Sequence, residues 1–281
     1  MKVKFWGTRG SIATPGEHTI KYGGNTTCIT IIPENDDFSP LIVDAGTGIR
    51  NLGKELQNRN HGLKLNILFT HCHWDHIQGF PFFAPANREG NTLTLYGCSW
   101  MGGVTKGSIL TQMDSRNFPI SYDALKAKVV FEEVCKNTTL QGMRLSVMRI
   151  NHPGAGLGLR FTNDSGSIAF ITDHELEDDP YIGANREETI DFCRNADILI
   201  HDAQYLKKEM IKGWGHSAIE DVFELAIESE VNKLALFHHD PNRTDKELDD
   251  ITDNLRKEID KRKLKLELYG AQEGMELTTT D

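Results

Sequence analysis

The chain has 281 residues, ample for a large buried core and just above the usual size of one domain. Its 38% hydrophobic and 26% charged residues describe an ordinary globular chain, and no run of 18 apolar residues occurs, which excludes a membrane-spanning helix. A net charge of −10, from 41 acidic and 31 basic residues, disfavours broad contact with a nucleic-acid backbone and leaves a small substrate open.

The N-terminus carries lysines but no apolar run long enough for a signal peptide, so a cytoplasmic location is expected. Met1, Val3 and Phe5 alternate with Lys2 and Lys4, the period-2 pattern of a half-buried strand. Further strand-like runs follow at residues 27–32, 41–43, 65–69, 93–96, 129–134, 145–150, 156–161, 167–171, 197–200, 234–237 and 264–269. Glycine, proline and Asn/Asp clusters punctuate them. Helical signals are fewer and concentrate in the second half. Ser217-Ala218-Ile219-Glu220 reads as a capping box opening a helix that buries Ile219, Val222, Phe223, Ala226 and Ile227. Thr244 and Glu247 form a second box, ahead of the stripe Leu248, Ile251, Leu255 and Ile259. Many strands followed by strand–helix alternation predict two sheets flanked by helices. The five cysteines (Cys28, Cys72, Cys98, Cys135, Cys193) lack CxxC spacing, which fits reduced thiols better than a disulfide framework.

The densest chemical signal is His71-Cys72-His73-Trp74-Asp75-His76, directly after the apolar run 65–69. A lone loop histidine is ordinarily solvated or hydrogen-bonded, but four ligand-type residues at the end of one strand are not explained that way. On extended backbone His71 and His73 point the same way. A turn at Trp74 then carries Asp75 and His76 toward an adjacent position. Imidazole nitrogens and a carboxylate suit Zn²⁺, with Mn²⁺ or Fe²⁺ as alternatives. Cys72, between two candidate ligands, is read as structural.

H-x-H-x-D-H after a buried strand resembles the signature of the metallo-β-lactamase superfamily, and later segments match in order. His152, in Asn151-His152-Pro153-Gly154, resembles the next ligand histidine. Asp173, closing the run that contains Phe170-Ile171-Thr172, resembles the metal-bridging aspartate. His238, after Leu234-Ala235-Leu236-Phe237, resembles the last ligand, with His239 as its rival. The resemblance spans nearly the whole chain. It implies an α/β (α+β) fold, a four-layer αββα sandwich, with residues 1–281 as a single hydrolase domain. It also implies two divalent metal ions, about 3.5 Å apart as in other two-metal sites. His71, His73 and His152 would hold one and Asp75, His76 and His238 the other, with Asp173 bridging. Asp44 and Gly46 match a further family motif, whose aspartate holds a ligand imidazole in the correct tautomer. Read alone, Asp44 equally caps a helix starting near Gly48.

The fold by itself selects no reaction, since relatives cleave lactams, lactones, thioesters and phosphodiesters. Two features favour phosphodiesters. Ile200-His201-Asp202-Ala203-Gln204-Tyr205, followed by Gly215-His216-Ser217, resembles the tRNase Z branch, where an acidic residue pairs with the histidine of Gly-His-Ser. That branch usually carries glutamate at the position of Asp202, so the side chain here is shorter. Read alone, His216 simply leads into the helix beside Ser217. The segments Phe5-Trp6-Gly7-Thr8-Arg9-Gly10-Ser11 and Tyr22-Gly23-Gly24-Asn25-Thr26-Thr27-Cys28 are similar to bacterial phosphodiesterases of this fold, including relatives of the phosphoribosyl cyclic phosphate enzymes. That similarity offers Arg9 to a substrate phosphate, whereas Gly-x-x-Gly alone reads as a tight turn. Asn117-Phe118-Pro119-Ile120 resembles an aromatic–proline stretch near the site mouth, where Phe118 would stack a base; otherwise it is plain packing.

The implied reaction is hydrolysis of a small phosphodiester, a cyclic nucleotide or related cyclic phosphate, by a hydroxide held between the metals. Asp75 would orient that hydroxide. His216, positioned by Asp202, would contact the phosphate or protonate the leaving alkoxide. The runner-up is tRNA 3′-end processing, although the glycine- and basic-rich arm by which that branch recruits tRNA is not found. A non-catalytic metal-binding relative is the third reading. The expected partner is a small phosphodiester ahead of tRNA, with no membrane and with a homodimer left open.

Overall fold

The computed structural model describes residues 1–33, 40–58, 62–99, 105–177, 179–180 and 182–280. Two seven-stranded sheets form its centre. The first contains, in spatial order, β1 (Lys2–Gly7), β2 (Cys28–Ile32), β3 (Leu41–Val43), β4 (Lys64–Leu68), β5 (Thr92–Gly97) and β6 (Lys128–Glu133). The second runs in sequence order through β7 (Thr138–Leu140), β8 (Met143–Arg149), β9 (Leu157–Asn163), β10 (Gly166–Ile171), β11 (Ile198–Asp202), β12 (Lys233–Phe237) and β13 (Glu267–Gly270). The C-terminal β14 (Glu276–Thr278) returns to the first sheet, outside β1. The strands expected from alternation are present with shifted ends; the last begins at Glu267 rather than Leu264.

Alternation lets each sheet bury both faces. Leu41 and Val43 turn into the space between the sheets and Ile42 outward; Ile198 and Ile200 turn inward and Leu199 outward. Phe237 sits in the inter-sheet layer between Phe5 and Phe170, with ring centroids 5.9 and 5.4 Å away. Outside the first sheet, α1 (Ile49–Gln57) packs Leu52 and Leu56 with Ile42, Ile67 and Phe83. α2 (Trp74–Ile77) and α3 (Thr105–Gln112) follow β4 and β5, and α4 (Arg186–Cys193) precedes β11. Outside the second sheet, α5 (Ile219–Glu228) and α6 (Asp245–Arg262) bury Val222, Phe223 and Ile259 with Leu199, Leu234 and Leu236. The layers read αββα. Burying one Leu, Ile or Phe contributes about 1.5–3 kcal/mol, whereas a surface ion pair contributes about 0–1 kcal/mol. The three apolar layers therefore carry the fold.

Two sequence expectations change here. Thr244 and Glu247 form their reciprocal capping box, but Ser217 and Glu220 do not. The Ser217 hydroxyl donates to the His174 carbonyl at 2.5 Å, and Glu220 accepts from Lys207 N, so tertiary partners claim both side chains. Cys98 and Cys135 form a disulfide, with Cα atoms 5.0 Å apart, where reduced thiols were expected. They lie just beyond the adjacent ends of the parallel pair β5 and β6, a proximity that their sequence separation of 37 conceals. Cys28 and Cys193 are buried thiols. Among the described residues, no helix is long and apolar enough to cross a membrane.

Strands β3 to β6 are parallel, as are β10 to β13. Their C-terminal ends form one rim, the usual place for a site in parallel sheets. Asp44, Asp173 and His238 on this rim hold φ of 60°, 52° and 54°. Non-glycine residues keep that left-handed conformation where surrounding structure imposes it.

Candidate metal centre

The ligand-type side chains leave the strand ends as the sequence order demands. His71 and His73 follow β4 on extended backbone, and the turn into α2 carries Asp75 and His76 to a second position. His152 follows β8, Asp173 follows β10 and His238 follows β12. The structure brings these seven residues into two groups that share Asp173. Asp173 Oδ2 faces the Nε2 atoms of His71 at 3.6 Å and His152 at 3.8 Å. Its Oδ1 faces the Nε2 atoms of His76 and His238, both at 3.2 Å. Asp75 Oδ2 lies 3.3 Å from His76 Nε2 and 3.1 Å from His238 Nε2. His73 presents its other nitrogen, Nδ1, 3.0 Å from His152 Nε2.

What sits behind each ring sets its tautomer. His76 Nδ1 donates to Asp44 Oδ2 at 2.8 Å. Thr70 Oγ1 donates to that same oxygen, so His71 Nδ1 donates in turn to Thr70 Oγ1 at 3.2 Å. His152 Nδ1 donates to the Gly215 carbonyl, and His238 Nδ1 to Gln204 Oε1, each at 3.0 Å. All four rings are left with Nε2 lone pairs aimed inward, the arrangement ligand histidines require. The buried Nε2 atoms of His71 and His76 have no hydrogen-bond partner. Convergent imidazole nitrogens and two carboxylates, with orphaned buried atoms at the centre, fit a pair of divalent cations. Asp44 supports this loop and caps nothing: α1 has no side-chain cap.

Burial opposes ionisation of Asp75 and Asp173, but the charge of neighbouring imidazoles, led by His76 for Asp75 and by His238 for Asp173, outweighs it and holds both carboxyls well below the usual range. Against its own burial, Asp173, Asp75 and Asp44 in turn raise His76 well above the ordinary imidazole value, so a proton on this ring competes with a cation for the place between the carboxylates. Burial pushes His152 down to about 4, keeping it neutral as a ligand must be.

Beside this centre stands a different pair. His216 Nδ1 lies 2.6 Å from Asp202 Oδ2, and Asp202 Oδ1 accepts from Gln204 N and Ser217 N at 3.0 and 3.3 Å. Burial lowers the imidazole, but the Asp202 charge, with Asp173 and Asp75 beyond, raises it to about 9. His216 lines the same cavity of about 450 Å³ as His73, Asp75, His152 and Asp173. Its Nε2 is the nitrogen left for that cavity.

One open alternative closes, and two sequence expectations end differently. His239 turns away from the centre, its Nε2 donating to the Ala271 carbonyl at 2.9 Å. Arg9 does not reach the site: it is fully buried, and its guanidinium donates to the carbonyls of Gly23, Asp240 and Arg243 at 2.8, 3.0 and 2.6 Å. It ties the N-terminal loop to the segment after β12, which corrects its assignment to substrate phosphate. The neighbouring Gly10 lies against the site, since a Cβ there would stand 2.3 Å from His238 Nδ1. Phe118 packs edge-on against Phe82, centroids 5.3 Å apart, and joins the outer core rather than the cavity lining. That corrects its assignment to base stacking.

Two residues that the sequence reading passed over belong here. Glu175 is buried, and its carboxylate accepts from Gly213 N at 2.8 Å and Gly215 N at 3.0 Å. Gly215 in turn holds His152 and precedes His216, so one carboxylate anchors the loop that serves both. Trp74 is 80% exposed beside the ligands. A buried acid two residues past Asp173 and an aromatic inside the His71–His76 motif were the available signals.

A model of the beta-lactamase superfamily domain matches residues 40–239. The ribonuclease Z of Staphylococcus saprophyticus is 22% identical over 306 residues, covering 91% of this chain and 94% of its own. Among solved structures, the metallo-β-lactamase fold protein YhfI from Bacillus subtilis superposes with a TM-score of 0.69 at 19% identity, covering 98% of both chains. A diphosphatase from the PhnP family superposes with a TM-score of 0.67 at 18% identity, covering 98% of this chain and 96% of its own. At such identities the structural likenesses establish the fold.

Proposed function

The chain belongs to the beta-lactamase superfamily, and from that footing we propose that it is a metal-dependent phosphodiesterase acting on a small substrate, a cyclic nucleotide or related cyclic phosphate. Residues 1–281 then act as one hydrolase domain. His71, His73, His152 and Asp173 would hold one cation, and Asp75, His76, His238 and the same Asp173 a second; the nitrogen-rich set suits zinc. Bound there, divalent cations supply an activated water near neutral pH and offset charge on the phosphoryl oxygens.

The observation that carries the proposal is the Asp202–His216 pair, 2.6 Å apart beside the metal cavity. An unactivated alkoxide is a poor leaving group and needs a proton as it departs. His216 donates that proton from Nε2 while Nδ1–H stays on Asp202, which directs the ring and stabilises its cationic form. Asp75 is steadied by the Ser11 N–H at 2.8 Å and orients the attacking water. A thioester, whose thiolate departs without a proton, has little use for such a pair. The names of two relatives, a ribonuclease Z and a diphosphatase, also point to phosphate esters. A net charge of −10 favours a small one.

The second reading is tRNA 3′ processing, favoured by the ribonuclease Z likeness along 91% of this chain. A screen of metal-loaded protein decides between them. Cyclic mononucleotides, cyclic dinucleotides, phosphoribosyl cyclic phosphate and precursor tRNA are compared with a β-lactam, an acyl thioester and bis(p-nitrophenyl) phosphate. Turnover of a cyclic phosphate is the expected result. Activity on precursor tRNA alone selects the second reading. A kcat/KM for the thioester comparable to that for the best diester refutes the phosphodiesterase assignment, and bound metal without any turnover leaves a metal-binding protein.

A further inference from the structure

Directly beside the metal cavity lies a larger cleft of about 900 Å³, and the two share Cys72 and Trp74 as a common wall. A volume of that order accommodates a nucleoside. Trp74 opens α2, flanked by His73 on one side and Asp75 and His76 on the other, so its backbone is held wherever the metal ligands are held. An indole left 80% exposed at that point has no packing role. The cleft contains no carboxylate among its described lining residues, and its one cation, Arg116, is paired with Asp114 through Nε at 2.7 Å. The walls carry neutral amides, each with one N–H already used: Gln112 donates to the Ile77 carbonyl, Asn117 to the Thr111 carbonyl, and Gln78 to Thr26 Oγ1. Their amide oxygens remain to accept.

An aromatic face with uncharged acceptors around it is the chemistry that recognises a nucleobase, through stacking and through the N–H groups of the base edge. A bare sugar phosphate has no aromatic ring to stack on the indole, and an acidic or basic peptide finds no complementary charge. We propose that this cleft is a nucleobase subsite, with Trp74 as its stacking platform, and that the substrate is a nucleotide whose phosphodiester lies at the metal centre. The inference rests on the phosphodiesterase reading and names the other half of the substrate. It moves base recognition from Phe118, the aromatic suggested by sequence, to Trp74.

The test compares wild type, Trp74→Ala and Trp74→Phe, all metal-loaded, on 2′,3′-cyclic AMP and on base-free phosphoribosyl cyclic phosphate. Trp74→Ala should raise KM for cyclic AMP by about 10- to 100-fold, the range that base–aromatic stacking supports. The rise should be at least about 10-fold larger than for the base-free diester, and Trp74→Phe should recover most of it. A direct readout needs no turnover: AMP should saturably quench the tryptophan fluorescence of metal-free wild type and leave that of Trp74→Ala unaffected. Equal KM changes on both diesters, or quenching that survives in Trp74→Ala, overturns the subsite. If wild type cleaves neither these diesters nor any other diester of the screen, bis(p-nitrophenyl) phosphate included, the phosphodiesterase reading fails, and the quenching experiment still decides whether a base binds at Trp74.

Discussion

Replacing Asp202 with asparagine tests the general-acid assignment at a single atom. Asparagine keeps an oxygen for the N–H groups of Gln204 and Ser217, which Asp202 Oδ1 now accepts, and turns its NH₂ toward the imidazole. His216 then has to accept at Nδ1 and loses the charge 2.6 Å away that outweighs its burial and raises it to about 9. A return to the ordinary imidazole value of 6.5 corresponds to about 3 kcal/mol. The sign is definite: a raised group is charged below its pKa and loses its proton as pH rises through it. At about pH 8 the protonated fraction falls from about 0.9 to about 0.03, so kcat on a diester with an unactivated leaving group should drop about 30-fold. At about pH 6 the same substitution should cost much less than at about pH 8, because the protonated fraction of the variant recovers as pH falls. The assay is kcat against pH for wild type and Asp202→Asn, run in parallel with a p-nitrophenyl diester whose leaving group needs little protonation. His216→Ala should lose roughly 10²–10⁴ at unchanged metal content, and the double variant should lose far less than the product of the singles. An alkaline limb that stays put in Asp202→Asn refutes the reasoning. Equal losses on activated and unactivated diesters make His216 a phosphate contact, and loss of a metal equivalent in His216→Ala makes it a ligand.

Glu175→Ala should weaken metal affinity about 10- to 100-fold, the range for groups that hold a ligand from behind. It frees the loop on which Gly215 holds His152, and metal-competition titration reads the effect. Chelation should lower the melting temperature, because free metal at about 100 times Kd stabilises the folded state by about 2.7 kcal/mol per site. Calorimetry with and without chelator checks this, and an unchanged transition counts against a metal centre. Arg9→Met should destabilise the protein by about 3 kcal/mol, since it strips buried carbonyls of their donor. KM should stay near wild type in the folded fraction; a KM rise without loss of stability restores Arg9 to the substrate.

The candidate ligand set from His71 to His76 was legible because it is contiguous and sits at the end of an apolar strand, two signals that survive in one dimension. The layers were legible for a related reason. Alternation such as Lys2-Val3-Lys4-Phe5 records which face of a strand is buried, whatever that face packs against. His152, Asp173 and His238 could be proposed only through the family resemblance, because nothing local distinguishes a ligand histidine from any other. Parity left His238 and His239 open: adjacent residues point to opposite sides, and the left-handed turn of His238 that settles the direction is imposed by the surrounding rim. The roles of Arg9 and Phe118 were misread for the complementary reason. A guanidinium or phenyl ring binds a ligand or fills a gap according to what the fold places beside it. The carbonyls of Asp240 and Arg243 meet Arg9 from more than 200 residues away. Local chemistry and strand faces were thus written in the sequence, because short-range sterics and burial determine them. The orientation of each ring, the anchoring by Glu175, the Cys98–Cys135 bond and the open face of Trp74 were decided only by tertiary structure, because each depends on segments that meet only after the chain has folded.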